Sequence, residues 1–210
     1  MPQTRPGKVW AELEDGNRRF VEGTPLHPHQ DTHRRDSLAH EQHPQAVVIG
    51  CSDSRVAHEI LFDQGLGDLF VVRNAGQVAS ESAVGSLEYA VGPLNVPLLI
   101  VLGHAECGAV AAAVESQKPD AAPLPPAIDS LVQQIVPSVH EAATSAGVAA
   151  GDADRAEVGQ LHVRRTISRI LEQSEMISDA VANNTLGIVG ATYNVADGAV
   201  AVNTMIGFID

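Results

Sequence analysis

The chain has 210 residues, enough for one domain with a substantial core, and 44% of them are apolar. Twenty-six acidic residues against 13 basic ones give a net charge of −13, which excludes a general nucleic-acid or anionic-membrane surface, because those need clustered Lys and Arg. The N-terminus lacks an apolar signal segment and no apolar run reaches bilayer length, so we expect a cytoplasmic protein without a membrane partner.

The first 45 residues predict an N-terminal helix followed by an extended arm, and residues 46–210 predict a single α/β domain. The helix is expected over about residues 8–22, because apolar side chains recur there at helical spacing. These apolar residues are Trp10, Leu13 and Phe20. Their stripe could pack on the sheet of its own chain or contact a second chain.

Residues 23–43 lose this periodicity and contain Pro25, Pro28 and five of the nine histidines. Such a composition is typical of an extended arm or loop. The histidine spacing is irregular and no cysteine accompanies it, which disfavours a metal-binding tract.

From Ala46 onward, short apolar strands alternate with helices, a pattern that predicts a parallel sheet covered on both faces. The expected strands are 46–50, 69–72 and 97–102, and the expected helices are 56–63, 82–91 and 105–115.

A proline-rich link over residues 121–126 precedes two predicted long helices, 128–146 and 154–172. Two strands, 186–193 and 199–205, then flank an Asp-Gly turn that is typical of a hairpin. The predicted fold is therefore α/β, with a central, mainly parallel sheet, an antiparallel edge hairpin and flanking helices.

Two of the predicted strands end in chemically active residues. The first ends in Cys51-Ser52-Asp53-Ser54-Arg55, and the third ends in His104-Ala105-Glu106-Cys107. Parallel α/β sheets collect functional groups at the carboxyl ends of their strands, so neighbouring ends would bring Cys51, His104 and Cys107 together. Two thiolates and an imidazole suit tetrahedral Zn²⁺. The sequence therefore predicts one zinc ion per chain.

Asp53 is the candidate for the fourth zinc position. If Asp53 binds, the site is closed; if it does not, water binds there and zinc lowers its pKa towards neutrality. Arg55 can hold the Asp53 carboxylate with two parallel hydrogen bonds and turn it away from the metal. The carboxylate so held can orient zinc-bound hydroxide for attack, so Asp53 and Arg55 are the predicted catalytic pair.

Six motifs together resemble the beta class of carbonic anhydrases. The stronger ones are CSDSR at 51–55, GDLFVVRNAG at 67–76, SLEYAV at 86–91 and GHAECGAV at 103–110. Weaker support comes from LEDGNRRFVEG at 13–23 and LGIVGATYNVADGAV at 186–200. The resemblance covers most of the chain outside the histidine-rich arm and the loop between the two long helices.

The resemblance implies a zinc lyase that reversibly hydrates carbon dioxide to bicarbonate and a proton. It implies zinc held by Cys51, His104 and Cys107, with Asp53 as an additional ligand in a closed state and Arg55 as its partner. It also implies a homodimer or a dimer of dimers, with the substrate pocket at the subunit boundary and Gln42 supplied by the partner. The implied pocket positions are Gln42, Phe70, Ala75, Tyr89 and Gly108.

Some members of this family bind inhibitory bicarbonate near an arginine at the position of Arg73, helped by a tryptophan three residues before the first zinc cysteine. That tryptophan position is Val48 in this chain. We therefore expect no such inhibitory site and a structural role for Arg73.

Three alternatives remain open from the sequence. A few relatives hydrolyse carbon disulfide, and the motifs do not distinguish them. A closed structural zinc with Asp53 permanently bound is the second alternative, although such a site would have no use for Arg55. The third is a metal-free redox protein with a Cys51–Cys107 disulfide.

Overall fold

A five-stranded sheet forms the centre of the computed structural model, which describes residues 5–207. The strand order is β2-β1-β3-β4-β5; the first four strands are parallel, and β5 runs antiparallel to β4. The strands are β1 (Ala46–Cys51), β2 (Leu69–Asn74), β3 (Leu98–His104), β4 (Gly187–Tyr193) and β5 (Val200–Ile206). This arrangement confirms the predicted mainly parallel α/β sheet with an antiparallel edge hairpin.

Helices cover both faces of this sheet. They are α1 (Pro6–Val21), α2 (Thr32–Ser37), α3 (His58–Leu61), α4 (Glu81–Val91), α5 (Gly108–Glu115), α6 (Pro126–Val132), α7 (Val136–Ala146), α8 (Arg155–Gln173) and α9 (Glu175–Ala182). Within residues 5–207, no helix combines the length and the apolar character that crossing a membrane requires.

The central strands are buried on both faces, which explains their continuous apolar sequence. Side chains alternate between faces along a strand. Val47 and Ile49 therefore pack in the core formed with α4, α8 and α9, whereas Ala46 and Val48 pack in the core formed with α1 and α3. A third cluster, formed by α5, α6 and α7, includes Cys51 and Cys107.

Several predicted helix boundaries were wrong. The single helix expected over 128–146 is two helices, separated by a turn at 133–135, and Pro137 lies in the first turn of the second helix, where proline is tolerated. The helix expected from 105 begins only at Gly108, because Glu106 has a φ of 56° and interrupts it. The helix expected over 56–63 is reduced to α3, and neither α2 nor α9 was expected.

The N-terminal helix packs on the sheet of its own chain. Trp10 and Leu13 are buried beside Val48 and Ile100, and the Trp10 ring meets Phe62 edge-on at a centroid distance of 6.3 Å. Of the two roles considered for the apolar stripe, the structure therefore shows packing within the chain.

Two buried carboxylates hold the arm that follows α1. Asp63 accepts hydrogen bonds from the backbone N–H groups of Leu26 and His27 and from Arg19 Nε at 2.6 Å. Burial alone would raise the pKa of Asp63, but these donors outweigh it and lower the pKa. Asp68 similarly contacts His29 Nδ1 at 2.7 Å and Arg34 at 3.0 Å. The arm is therefore fixed against the loop between α3 and β2.

Asn17 joins the first helix to the last hairpin. Its Nδ2 donates to the carbonyl oxygens of Leu61 and Gly198, each at 2.9 Å, and its Oδ1 accepts from the Val200 N–H at 2.9 Å. The residue is 7% exposed, so these backbone groups have little access to water as an alternative partner.

We expect Asn17→Ala to lower the free energy of unfolding by about 2–4 kcal/mol, because it leaves buried backbone groups without partners. Urea unfolding followed by the fluorescence of Trp10, the single tryptophan, measures this change. Glu14→Ala, an exposed change on the same helix, is the matched control and should stay within about 0.5 kcal/mol of the parent protein. Equal effects of the two variants would contradict the tethering role of Asn17.

Candidate active site and metal centre

Three candidate metal ligands lie together at the carboxyl ends of adjacent strands. Cys51 ends β1 and His104 ends β3, while Cys107 immediately precedes α5. Their ligand atoms all lie within 4.8 Å of one another, and the two sulfur atoms are 4.0 Å apart. All three residues are buried. The parallel pairing of β1 with β3 thus brings together the donors that the sequence suggested.

The hydrogen bonding of His104 fits a metal ligand. Its Nδ1 lies 2.9 Å from the carbonyl oxygen of Ala105, so Nδ1 carries the proton and donates. The opposite nitrogen, Nε2, is buried and has no hydrogen-bond partner among the described residues. An imidazole oriented by a backbone carbonyl, with its free nitrogen beside two sulfurs, is the arrangement that zinc ligation requires. The residues present therefore fit Zn²⁺.

The two thiols influence each other's ionisation. The Cys107 thiol can donate to the Cys51 thiolate, and this contact, together with the Gly76 N–H, lowers the pKa of Cys51 despite burial. The same contact raises the pKa of Cys107, while backbone N–H groups at the start of α5 oppose that rise. The metal-free pair therefore shares one proton, which a bound metal would displace.

Asp53 is held by Arg55 through two parallel hydrogen bonds. Arg55 Nε lies 2.9 Å from Oδ1 and Nη2 lies 2.8 Å from Oδ2, and the Arg55 backbone N–H also donates to Oδ1. The Arg55 side chain holds the pKa of Asp53 far below its usual range, so Asp53 is a carboxylate. Its Oδ2 lies 3.9 Å from His104 Nε2, beside the donor cluster.

Arginine side chains also hold the loops that carry these groups. Arg73 donates to the carbonyl oxygens of Cys51 at 3.1 Å and Asp53 at 2.8 Å, so its contacts fit a structural role. Arg55 Nη2 additionally reaches the Glu106 carbonyl oxygen at 3.2 Å. Arg55 therefore connects the loop after β1 with the loop after β3.

His58 is a buried residue near the site that the sequence analysis did not identify. It is fully buried and its ring packs against Gly50, leaving no room for a side chain at position 50. Neither ring nitrogen has a partner within the described part of the chain, and burial lowers the pKa of His58 to about 4, so the ring is neutral. Its position seven residues after Cys51 gave no signal, because isolated histidines have no characteristic pattern.

The other expected pocket residues are at least partly exposed within one chain. The rings of Phe70 and Tyr89 are 6.1 Å apart, and Tyr89 is 50% exposed. Gln42 and Ala75 are exposed, and so is Gly108, which follows Cys107 directly. A cavity of about 140 Å³ is lined by His104 and Cys107 and also by residues that the sequence analysis did not identify. These include Gln77, Val110, Arg155, Gln160 and Thr192.

This fold and donor set define an α/β protein with a site that could hold zinc, and comparison with known proteins specifies its family. The family model described as "Carbonic anhydrase" matches residues 46–200. A carbonic anhydrase of Mycolicibacterium smegmatis is 46% identical over all of this chain and 98% of the relative. "Carbonic anhydrase 2" of Mycobacterium tuberculosis is 45% identical over all of this chain and 98% of the relative.

Solved structures agree with these relatives. The Coccomyxa beta-carbonic anhydrase in complex with acetazolamide matches with a TM-score of 0.72 at 26% identity, covering 92% of this chain and 86% of that one. A tetrameric beta-carbonic anhydrase from Sordaria macrospora shares the fold, with a TM-score of 0.71 at 24% identity over 93% of this chain and 96% of that chain. The chain belongs to the carbonic anhydrase family, in its beta class.

We expect Cys107→Ser to reduce the zinc content of the purified protein from about one ion per chain to below about a tenth, because a serine hydroxyl stays protonated where a thiolate ligand is needed. Elemental analysis after dialysis measures this loss. Ser54→Ala is the control, since Ser54 is exposed in the loop after β1 and lies outside the donor set. Full zinc content in Cys107→Ser would exclude Cys107 as a ligand.

Proposed function

We propose that this chain catalyses the reversible hydration of carbon dioxide to bicarbonate and a proton, with one zinc ion held by Cys51, His104 and Cys107. The observation that carries the proposal is the unpartnered His104 Nε2, which lies beside two thiols and 3.9 Å from a carboxylate held by Arg55. When bound, zinc supplies a Lewis acid that makes hydroxide available near neutral pH. Hydration of carbon dioxide is the general reaction of the family.

Asp53 orients the attacking oxygen. Because it is ionised, its carboxylate can only accept hydrogen bonds, and Oδ2 is the oxygen nearer to the donor cluster. Arg55 fixes the plane of that carboxylate with two donors. A hydroxyl that donates its proton to Oδ2 is therefore held in one orientation for attack on a small apolar substrate.

Asp53 would also gate the site, because a carboxylate released by Arg55 could serve as a further ligand to a zinc ion held by the two cysteines and His104. Its lowered pKa keeps it a carboxylate well into the acid range, where hydroxide is scarce and the fourth ligand position can be taken by another anion. At higher pH hydroxide would compete for that position, while Arg55 holds Asp53 away from it. The bidentate contact is the interaction that favours the open state.

Zinc ligation requires both cysteines to be reduced, and their sulfur atoms are unbonded at 4.0 Å. Reducing conditions are those of the cytoplasm, so we place the protein there.

The proposal predicts carbon dioxide hydration that rises with pH through the neutral range, because zinc lowers the pKa of bound water to about 7. Stopped-flow assays across roughly pH 6.5 to 9 on protein of measured zinc content test this expectation. Protein with one zinc per chain that stays inactive at every pH would contradict the proposed function.

Replacement of Arg55 by Ala tests the gate in the same assay. Without its guanidinium partner, Asp53 is free to bind the metal, so we expect kcat to fall at least about a hundredfold. Arg55→Lys should have a kcat between those of Arg55→Ala and the parent protein, because lysine keeps the positive charge but cannot form two parallel hydrogen bonds to the carboxylate. A crystal structure of zinc-loaded Arg55→Ala should show Asp53 on the metal. Near wild-type activity in Arg55→Ala would refute the gate while leaving the hydratase intact.

We also propose that a second copy of the chain completes the substrate pocket, as a homodimer or a dimer of dimers. Strand β2 lies at the edge of the sheet with every residue at least partly exposed, and Tyr89 and Phe70 form a half-exposed aromatic pair beside it. Gln42 is also exposed and lies apart from the cavity beside His104 and Cys107. Phe70, Tyr89 and Gln42 are thus accessible to a partner subunit.

A hybrid dimer tests whether Gln42 acts across the interface. Chains carrying Gln42→Ala and chains carrying Arg55→Ala should each form inactive homodimers. When the two are mixed at random, one site of each hybrid dimer regains both residues, so about a quarter of the parent activity should return. If Gln42 serves its own chain, no hybrid site is intact and the mixture stays inactive.

A further inference from the structure

The turn after β2 donates a hydrogen bond to one of the candidate metal ligands. The backbone N–H of Gly76 points at Cys51 Sγ, with a nitrogen–sulfur distance of 3.4 Å, and both residues are buried. Gly76 adopts a φ of 80°, and a side chain there would press on Ile135 and Ala109. The sulfur of Cys51 therefore has a donor that exists only while this turn keeps its conformation.

The turn is conformationally costly and needs external support. Gln77 follows Gly76 with a φ of 42°, a left-handed conformation that is unfavourable for a residue with a side chain. Such conformations persist only where surrounding contacts determine them. Asn74 supplies part of the support, because its side chain bonds both backbone groups of Val78.

Helix α8 supplies the remaining support at the level of Gly76. His162 Nε2 lies 2.7 Å from the Gly76 carbonyl oxygen, so Nε2 carries the proton and donates. His162 is 2% exposed and burial lowers its pKa to about 4, so the ring is neutral near pH 7 and has this single donor. One turn further along α8, Thr166 Oγ1 donates to the Gln77 carbonyl oxygen at 3.4 Å.

We propose that His162 is a positioning residue for the metal centre: by holding the Gly76 carbonyl it fixes the backbone of Gly76, so that the N–H of the same residue stays on the Cys51 thiolate. The inference rests on the proposed zinc site. A hydrogen bond to a thiolate draws charge from the sulfur, which stabilises the ionised ligand and leaves the metal a stronger Lewis acid. His162 thus acts on the metal site through the backbone of Gly76, which lies 86 residues away in sequence.

Two variants of the full-length protein separate the donor from the bulk of the side chain. His162→Leu keeps an apolar side chain but removes the donor, and we expect zinc affinity to fall about tenfold to a hundredfold in a chelator competition assay. With Co²⁺ in place of zinc, the thiolate-to-metal charge-transfer band should move to longer wavelength, because the sulfur becomes richer in charge. His162→Gln, which can still donate, should restore most of both properties.

Thr166→Val is the matched control. It removes a buried donor to the neighbouring carbonyl from the same helix, but that carbonyl belongs to Gln77, whose N–H bonds Asn74 and not Cys51. Thr166→Val should lower thermal stability while leaving zinc affinity within about threefold and the cobalt band unmoved. The Gly76 N–H still donates to Cys51 Sγ in this variant.

Unchanged zinc affinity and an unmoved cobalt band in His162→Leu would overturn the inference, and so would equal shifts in Thr166→Val. If His162→Leu does not fold, His162→Asn, whose amide is too short to reach the same carbonyl, takes its place against His162→Gln. Both readouts need no substrate. An inactive but zinc-loaded parent protein would therefore refute the proposed hydration, whereas an active parent with an unresponsive variant series would refute only the role of His162.

Discussion

Parallel pairing between β1 and β3 is the constraint on which the rest of the site depends. The pairing places Gly50 opposite Leu102, so that both strands deliver their next residues to the same edge of the sheet. Continuous apolar sequence keeps these strands central and buried on both faces. Cys51 and His104 therefore meet without any long loop, and their relative position is as rigid as the sheet itself.

Buried charge at this edge is balanced by donors from several separate elements. The Cys51 thiolate accepts a hydrogen bond from the Gly76 N–H in the turn after β2, and the Asp53 carboxylate accepts two hydrogen bonds from the Arg55 guanidinium. Arg73, from β2, donates hydrogen bonds to the backbone carbonyl groups of Cys51 and Asp53. An acidic protein can hold anionic ligands here because local donors, rather than net charge, determine the electrostatics of the site.

The strands and the candidate zinc donors were predictable from the sequence, because apolar runs that end in Cys and His are local signals. The break between α6 and α7 was missed because the apolar pattern continues through the turn at 133–135. No local sequence pattern identifies His162 or His58, because their environments depend on contacts with Gly76 and Gly50 that form only in the folded chain. The roles of Gln42 and Tyr89 require a second chain and therefore remain predictions.

The hydrogen bonds of Asn17 have a consequence for the order in which the chain acquires its structure. Helix α1 is synthesised before the sheet, but the Asn17 amide can bond only Leu61 until Gly198 and Val200 have been made, 181 and 183 residues later. The arm that follows α1 likewise cannot form its hydrogen bonds until Asp63 and Asp68 have been synthesised. Helix α1 is thus made early but is among the last elements to complete its contacts, and it joins the β4–β5 hairpin in one cooperative unit only when that hairpin has formed.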